Sequence, residues 1–395
     1  MLMNVTSIKK RANGQVRDAH RQWASRPADE RVMCMEDYVS RTRQIRDTSR
    51  ESADAGVPWD SLRIEAQGDE LALIGRGGIP ATLNNWSLSQ ICALPARDGS
   101  GTLAPTEFLG RLSTNVAADV LTDRLTRGIG RQKPAHLLVS GPTASMMLRS
   151  ITTTAYERVW DYDLALRIAE LCRRSSWGPC EAFRTASGPA RHAWGDVEPL
   201  PLGWVGDRSS FVALADYDTA IEHGKNRYSR FMLLSNSEVG GAAVKLVFGL
   251  MDFACCNFIL WGCTEVYEAT FRHTKTVHDR FIAAQRAMAL PMPREERDEL
   301  QSAIKVASTF LLGEGEQEVI AVTRAVTELP QKLVQDAYTR TLQTDRYGRP
   351  GTAWSMLQGL TEASQHVDVA KANVDKRAEI DAKAARLMGY VKSKV

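Results

Sequence analysis

Arg230–Lys275 reads RFMLLSNSEVGGAAVKLVFGLMDFACCNFILWGCTEVYEATFRHTK, and how this one stretch folds decides the rest of the chain. It holds the densest apolar content in the sequence, yet a polar Asn-Ser-Glu run interrupts it and an Arg-His-Thr-Lys cluster closes it. Arg230, Met232 and Leu234 alternate with Phe231, Leu233 and Ser235, a period of two that predicts a strand. Asn236-Ser237-Glu238-Val239-Gly240-Gly241 then predicts a turn, because these residues accept turn geometry and positive φ. The following run, Ala242 to Cys263, is almost continuously apolar and long enough to raise the question of a membrane span. Lys245 and Asp252 sit inside it, and each would cost about 2.5–3.5 kcal/mol in a bilayer, so a span and a membrane partner are excluded. A strand near Val244–Phe248 and a buried element over Phe253–Trp261 fit better; periodicity leaves open whether the latter is strand or helix.

The end of the stretch is chemically dense, from Thr264 and Glu265 through Tyr267, Glu268, Arg272, His273, Thr274 and Lys275 to His278, Asp279 and Arg280. Were Thr264–Phe281 helical, Glu268 would pair with Arg272 and Thr274 with His278 at i, i+4. Two readings stand. One is a solvated helix face laced with ion pairs. The other is an anion site, in which Arg272 and Lys275 supply charge and His273 and Thr274 directional donors.

With 395 residues the chain can build two or three domains with proper cores. A hydrophobic content of 44% and a charged content of 25% fit a soluble globular protein. The net charge of +3 does not by itself demand a nucleic-acid partner, but arginines recur over Arg11–Arg50 and lysines over Lys371–Lys394. Seven cysteines, an odd number mostly set in apolar sequence, suit reduced thiols in a cytosol. The N-terminus lacks the apolar run of a signal peptide, so the expected location is cytoplasmic.

Three regions follow. Residues 1–56 read as a basic helical arm, residues 57–285 as an α+β core with a Gly/Pro/Trp-rich insertion near 173–206, and residues 286–395 as a helical C-terminal region. The expected fold class is α+β, with an antiparallel-rich central sheet and packed helices. Within the core, Leu62–Ala66 and Leu71–Ile74 predict a hairpin, Asn84–Ala93 a short helix and Thr106–Gly128 a longer one. His136–Val139 and Met146–Ile151 predict two strands, Tyr156–Leu171 a helix and Phe211–Ala215 a strand. Tryptophans of the insertion either stack on bases or bury against the sheet. Further on, Glu295–Leu312, Gln317–Glu328 and Gln331–Leu342 predict helices, and Thr352–Lys392 a long one broken near Gly359.

Several chemistries drop out. No HExxH, paired CxxC or comparable Cys/His spacing is present, so neither a metal nor a cofactor is expected. A dinucleotide fingerprint after a strand and a G-x-S-x-G elbow are missing too. A nucleophile formed by Cys255, Cys256 or Cys263 with His273 or His278 stays open, although cysteines in such apolar runs usually behave as small core hydrophobes.

Three segments resemble the phage/plasmid-like protein family catalogued as domain of unknown function 932. They are Ser235–Gly241 followed by Cys256-Asn257 and Arg272-His273-Thr274; Leu148–Ile151 with Tyr156–Asp161; and Gly351–Glu362, with its threonine-x-tryptophan and threonine-glutamate runs. The resemblance spans about Leu71 to Val367. The sequence departs from it where Phe258 and Gln358-Gly359 replace the family's glycine and asparagine-alanine. It implies a phage or mobile-element origin and a cytosolic setting, in the host cell for a phage protein. Association with mobile DNA suggests nucleic-acid metabolism, such as single-strand binding or annealing. The expected interface is Arg227, Arg230, Lys245, Arg272, His273, Thr274 and Lys275 on single- or double-stranded nucleic acid, with Asn236, Ser237, Glu238 and Asn257 as motif residues and a homo-oligomer as the assembly. The rival expectations are an enzyme that pairs His273 with Glu238 or a cysteine, and an interaction factor that acts on a host protein.

Overall fold

A computed structural model describes residues 28–53, 55–75, 77–94, 103–104, 106–128, 134–179, 184–185, 188–189, 202–224, 226–252, 257–259, 268–271, 273, 279, 281–282, 294–345, 347–364 and 374–395. In the first half the strands are β1 (Arg31–Val32), β2 (Ser49–Glu51), β3 (Arg63–Gln67), β4 (Glu70–Ile74), β5 (Pro80–Leu83), β6 (Ala135–Ser140), β7 (Met146–Thr153) and β8 (Trp177–Pro179). After them come β9 (Arg184–Thr185), β10 (Gly188–Pro189), β11 (Gly203–Val205), β12 (Ser210–Asp216), β13 (Ile221–His223), β14 (Asn226–Asn236), β15 (Val244–Asp252), β16 (Asn257–Ile259) and β17 (Glu268–Phe271). The helices are α1 (Met35–Thr48), α2 (Asn85–Cys92), α3 (Thr106–Leu109), α4 (Thr114–Asp123), α5 (Asp161–Arg174), α6 (Arg294–Thr309), α7 (Glu316–Thr327), α8 (Gln331–Leu342), α9 (Ala353–Ser364) and α10 (Val374–Lys392).

Two sheets organise this α+β chain. The larger follows the order β1-β11-β12-β14-β15-β16, with β8 also beside β12, β13 beside β14 and β17 beside β15, every pair antiparallel. The smaller runs β2-β6-β7-β5-β4-β3 and is antiparallel except where β5 meets β7. The long strand β14 pairs along its length with β15, from Tyr228 opposite Asp252 to Ser235 opposite Lys245. A slip of one residue would turn Met232 and Leu234 out of the core, so the apolar pattern fixes this register.

Three apolar clusters hold the layers. Ile64, Leu73 and Leu148 of the smaller sheet, with Leu62 just before β3, pack on Ile91 and Leu121 of α2 and α4. Met232, Leu234, Val244 and Leu246 pack on Tyr38 of α1 and on Leu164, Ile168 and Leu171 of α5. Tyr228 and Leu250 meet the C-terminal helices through Leu300, Ile304, Val334, Trp354 and Leu360. Helix α9 is the axis of that last layer: all twelve of its residues are buried. A Cβ on Gly359 would stand 2.5 Å from the Ala337 carbonyl oxygen, so only glycine lets α9 approach α8 this closely.

Local signals explain many of these boundaries. Asn84 and Ser87 form a reciprocal capping box at the start of α2. Helix α5 carries Asp163 in its first turn and ends with Arg173 and Arg174, charges that complement its dipole.

Other expectations are corrected. The helix expected from Tyr156 starts at Asp161, and the residues before it run extended, with Trp160 at φ −72° and ψ 134°. The helix expected over Thr106–Gly128 is broken into α3 and α4, followed by a π turn at Arg124–Gly128. Part of the conditional helix over Thr264–Phe281 is strand β17, which places Glu268 opposite Val247; Arg272, its expected i, i+4 partner, lies outside the described residues. The strand expected near Val244–Phe248 continues to Asp252, and Gly359 lies inside α9 instead of breaking it. Within the region read as a basic arm, residues 31–32 pair with β11 and residues 49–51 with β6, so this part joins both sheets. Residues 1–27 lie outside the described ones.

Candidate functional site

The loop from β14 to β15 carries Asn236-Ser237-Glu238-Val239 and presses into the seam between the sheets, where all four residues are buried. Glu238 and Arg149 of β7, each with 4% of its side chain exposed, form an ion pair with 2.6 Å between Oε1 and Nη1. The other carboxylate oxygen of Glu238 accepts the Asp161 backbone N–H at 3.1 Å, which caps the start of α5. Asn236 donates to Asp161 Oδ1 at 2.7 Å and to the Val159 carbonyl at 2.9 Å. Arg158 donates to the Glu238 carbonyl and, at 2.5 Å, to Glu51 of β2. Five chain segments therefore meet on one polar cluster.

Charge is crowded there. Burial, and then the Glu238 carboxylate, push the Asp161 carboxyl up to about 8, while the nearby Ser210 hydroxyl, the hydrogen bond from Asn236 and the charge of Arg149 pull the other way. Both causes favour the protonated form of Asp161. Burial is also the first cause that raises the Tyr38 phenol, with Asp161 next, and it raises the Tyr156 phenol against the lowering effect of Arg158.

Above this buried cluster lies a half-exposed band of rings and cations. Trp86 donates to the Val239 carbonyl at 3.0 Å, and the Arg208 guanidinium covers its ring at 4.1 Å. Gly240 turns the loop at φ +81°, and its Cβ position would lie 3.2 Å from Thr152 Cγ2 and 3.8 Å from Tyr156 Cε2. Tyr156 donates to the Ser237 carbonyl at 3.0 Å and stacks on the His273 ring, with centroids 4.6 Å apart. The buried Arg158 lies beneath this band, 5.4 Å from the Tyr156 ring and 5.7 Å from that of Trp160; Arg46 lies 5.6 Å from both Trp160 and Tyr162. Cations and rings alternate from His273 to Tyr162, with Arg46 also tied to Asp163.

The expected interface residues separate instead of converging. Arg230 is bound by the buried Asp216 carboxylate, at 2.9 Å from its Nε, and lies over Trp177. Arg227 and Lys245 project from the other face of the sheet, because Lys245 stands opposite Ser235 and side chains alternate along β14. Eight residues of strand, about 26 Å at 3.3 Å each, separate their positions. Arg227 pairs in register with Glu222, and Asn257 with Asp252. His273 reaches the band, whereas Arg272, Thr274 and Lys275 lie outside the described residues. Of the insertion's tryptophans, Trp177 and Trp204 are buried, the latter stacked on Phe211.

The geometry also separates the expected acid-base pair. Glu238 is committed to Arg149 and the Asp161 N–H, while the His273 ring nitrogens face the carbonyls of Glu157 and Ala242. Cys255, Cys256, Cys263 and His278 lie outside the described residues. Among the described residues, no three His, Cys, Asp or Glu side chains converge as a metal site would need, and no helix is long and apolar enough to cross a membrane.

Sequence reasoning missed Trp86, Arg208, Arg46 and the ring-cation alternation of Tyr156-Glu157-Arg158-Val159-Trp160-Asp161-Tyr162. The period of two in that run was the available signal for an extended segment.

Fold and site thus define an α+β protein of two sheets, locked by a buried polar loop and backed by a helical layer. The family model described as domain of unknown function (DUF932) matches residues 203–386. This span contains the Asn-Ser-Glu loop, the Arg-His-Thr run and the buried helix α9. No curated protein and no solved structure matches the chain.

Proposed function

We propose that this chain is a phage or mobile-element protein that binds single-stranded nucleic acid along the band from Trp86 to Tyr162. The reading rests on one observation: Arg208, His273 and Arg46 lie against aromatic rings on a half-exposed surface across the seam, with the buried Arg158 between the rings of Tyr156 and Trp160 beneath them. Guanidinium groups take up backbone phosphates, and ring or guanidinium faces take up unpaired bases, which a duplex keeps stacked away. The cations here are already seated on rings, so less side-chain freedom is lost when a strand arrives. Residues 1–27 add six lysines and arginines against one acid, Asp18, a charge excess that would speed encounter with a polyanion. A homo-oligomer would set several such bands in series.

Fluorescence anisotropy with a labelled oligothymidine tests the reading. Affinity should fall steeply between 50 and 200 mM salt, on the order of tenfold or more for a few phosphate contacts. Arg46→Ala combined with Arg208→Ala should weaken it by at least about another tenfold. Absence of binding at micromolar protein, or affinity unchanged by salt and by the double substitution, overturns it.

A further inference from the structure

His273 stands where the band, the loop and the extended linker before α5 meet. Its Nδ1 lies 3.2 Å from the Glu157 carbonyl oxygen and its Nε2 3.1 Å from that of Ala242. The Glu157 N–H returns a hydrogen bond to the His273 carbonyl at 3.3 Å, so linker and histidine grip each other at two points. Both ring nitrogens face acceptors. A neutral imidazole has one N–H and one lone pair, so it satisfies one carbonyl and repels the other; only the imidazolium donates to both.

We propose that His273 is a proton-dependent clasp: as the imidazolium it ties the end of the Asn-Ser-Glu loop to the linker and closes the band, and on losing its proton it lets the two separate. The coupling to strand binding rests on the function proposed above; the clasp itself does not. The groups that set its titration are at hand. Tyr156 lies under the ring and favours a cation there. Glu157 and Arg158 flank it on the linker with opposite charges. Glu238 and Arg149 offset one another behind the loop. Hydrogen bonds to two carbonyls favour the charged form, so the clasp is fully made below the ordinary histidine range and opens as pH rises through the clasp's own titration.

Nitrogen-15 ring spectra of the full-length protein test this directly. His273→Gln removes one of seven histidine ring signals and so assigns it. That signal should titrate above the ordinary value of about 6.5, and titration at or below it overturns the clasp. Thermal melting gives a second readout. Wild type should exceed His273→Gln by more at pH 6 than at pH 9, whereas His273→Arg, which keeps a fixed charge and several donors, should lose that pH dependence. An equal gap at both pH values overturns the clasp as well. Oligothymidine affinity then separates the two proposals. Wild-type affinity that falls from pH 6 to pH 9 more than that of His273→Arg supports the coupling, and parallel curves overturn it. Absence of binding at every pH sinks the functional reading and with it the coupling, while the ring titration still decides the clasp.

Discussion

Two buried ionic clusters in this molecule are built in opposite ways. In the helical layer, Arg340 Nη1 meets Glu362 Oε1 at 3.0 Å, Tyr347 donates to the other Glu362 oxygen at 2.7 Å, and the remaining guanidinium nitrogens reach Asp336 at 3.1 and 3.2 Å. Each carboxylate oxygen of Glu362 has a partner, and the whole cluster lies between residues 336 and 362. The seam draws on β2, β7, the linker, α5 and the Asn-Ser-Glu loop, a span from Ser49 to Glu238. It holds one carboxyl more than its arginines can balance, and Asn236 Oδ1, Ser150 Oγ and Arg158 Nη2 make no hydrogen bond among the described residues. A local cluster forms with its own helices. The seam forms only once distant segments have docked, which makes it dependent on loop closure and sensitive to charge.

The sharpest way to break this comparison is to neutralise one carboxylate in each cluster. Glu238→Gln leaves the buried Arg149 without its counter-charge, with the Ser49 hydroxyl as its hydrogen-bond partner outside the loop among the described residues, and should cost about 3–5 kcal/mol in urea unfolding. Glu362→Gln leaves Arg340 its contact with the partly exposed Asp336 and should cost about 1–3 kcal/mol. Equal losses, or the reverse order, would show that the two clusters do not differ in the way their geometry says.

A smaller effect sharpens the helical side. Gly359→Ala places a methyl against the α8 backbone where no side chain can yield, and should cost about 1–3 kcal/mol by forcing α9 away from α8. Gly389→Ala, with nothing within 4 Å of its Cβ position, is the control that should leave the unfolding midpoint unchanged or slightly raised. A loss at Gly389 as large as at Gly359 would remove close packing as the cause.

The same contrast explains what the sequence made legible. Helices α6, α7 and α8 and the hairpin β3-β4 were readable because apolar period and turn residues are local signals. The fold class followed from them. The seam was not readable. Arg149 lies in an apolar strand and demands a counter-charge, but nothing local says that Glu238, 89 residues on, supplies it. Grouping Arg230 with Arg227 and Lys245 failed for a related reason: the buried partner of Arg230, Asp216, sits on the neighbouring strand, and strand alternation places the other two on the opposite face. The period-two run Tyr156–Trp160 is short and the apolar residues after it are helical, so local pattern alone extends the helix back over it.

The smallest effect expected is a matter of pH. Asp161 is raised in the folded chain by burial and by Glu238, whereas in the unfolded chain it titrates near 3.8. Between these values the folded state binds the extra proton, so stability from this group is complete below about pH 4, declines as pH rises, and is gone above about pH 8. Asp161→Asn keeps an oxygen for the Asn236 amide and carries no proton to lose. Other carboxylates titrate in the same window in both proteins, so the useful quantity is the melting temperature of Asp161→Asn minus that of wild type. It should rise by a few degrees from pH 5 to pH 8, the direction set by the proton the folded chain loses over that range. A flat difference for Asp161→Asn would mean that the seam carries no excess carboxyl, and the distinction between the two clusters would then rest on chain connectivity alone.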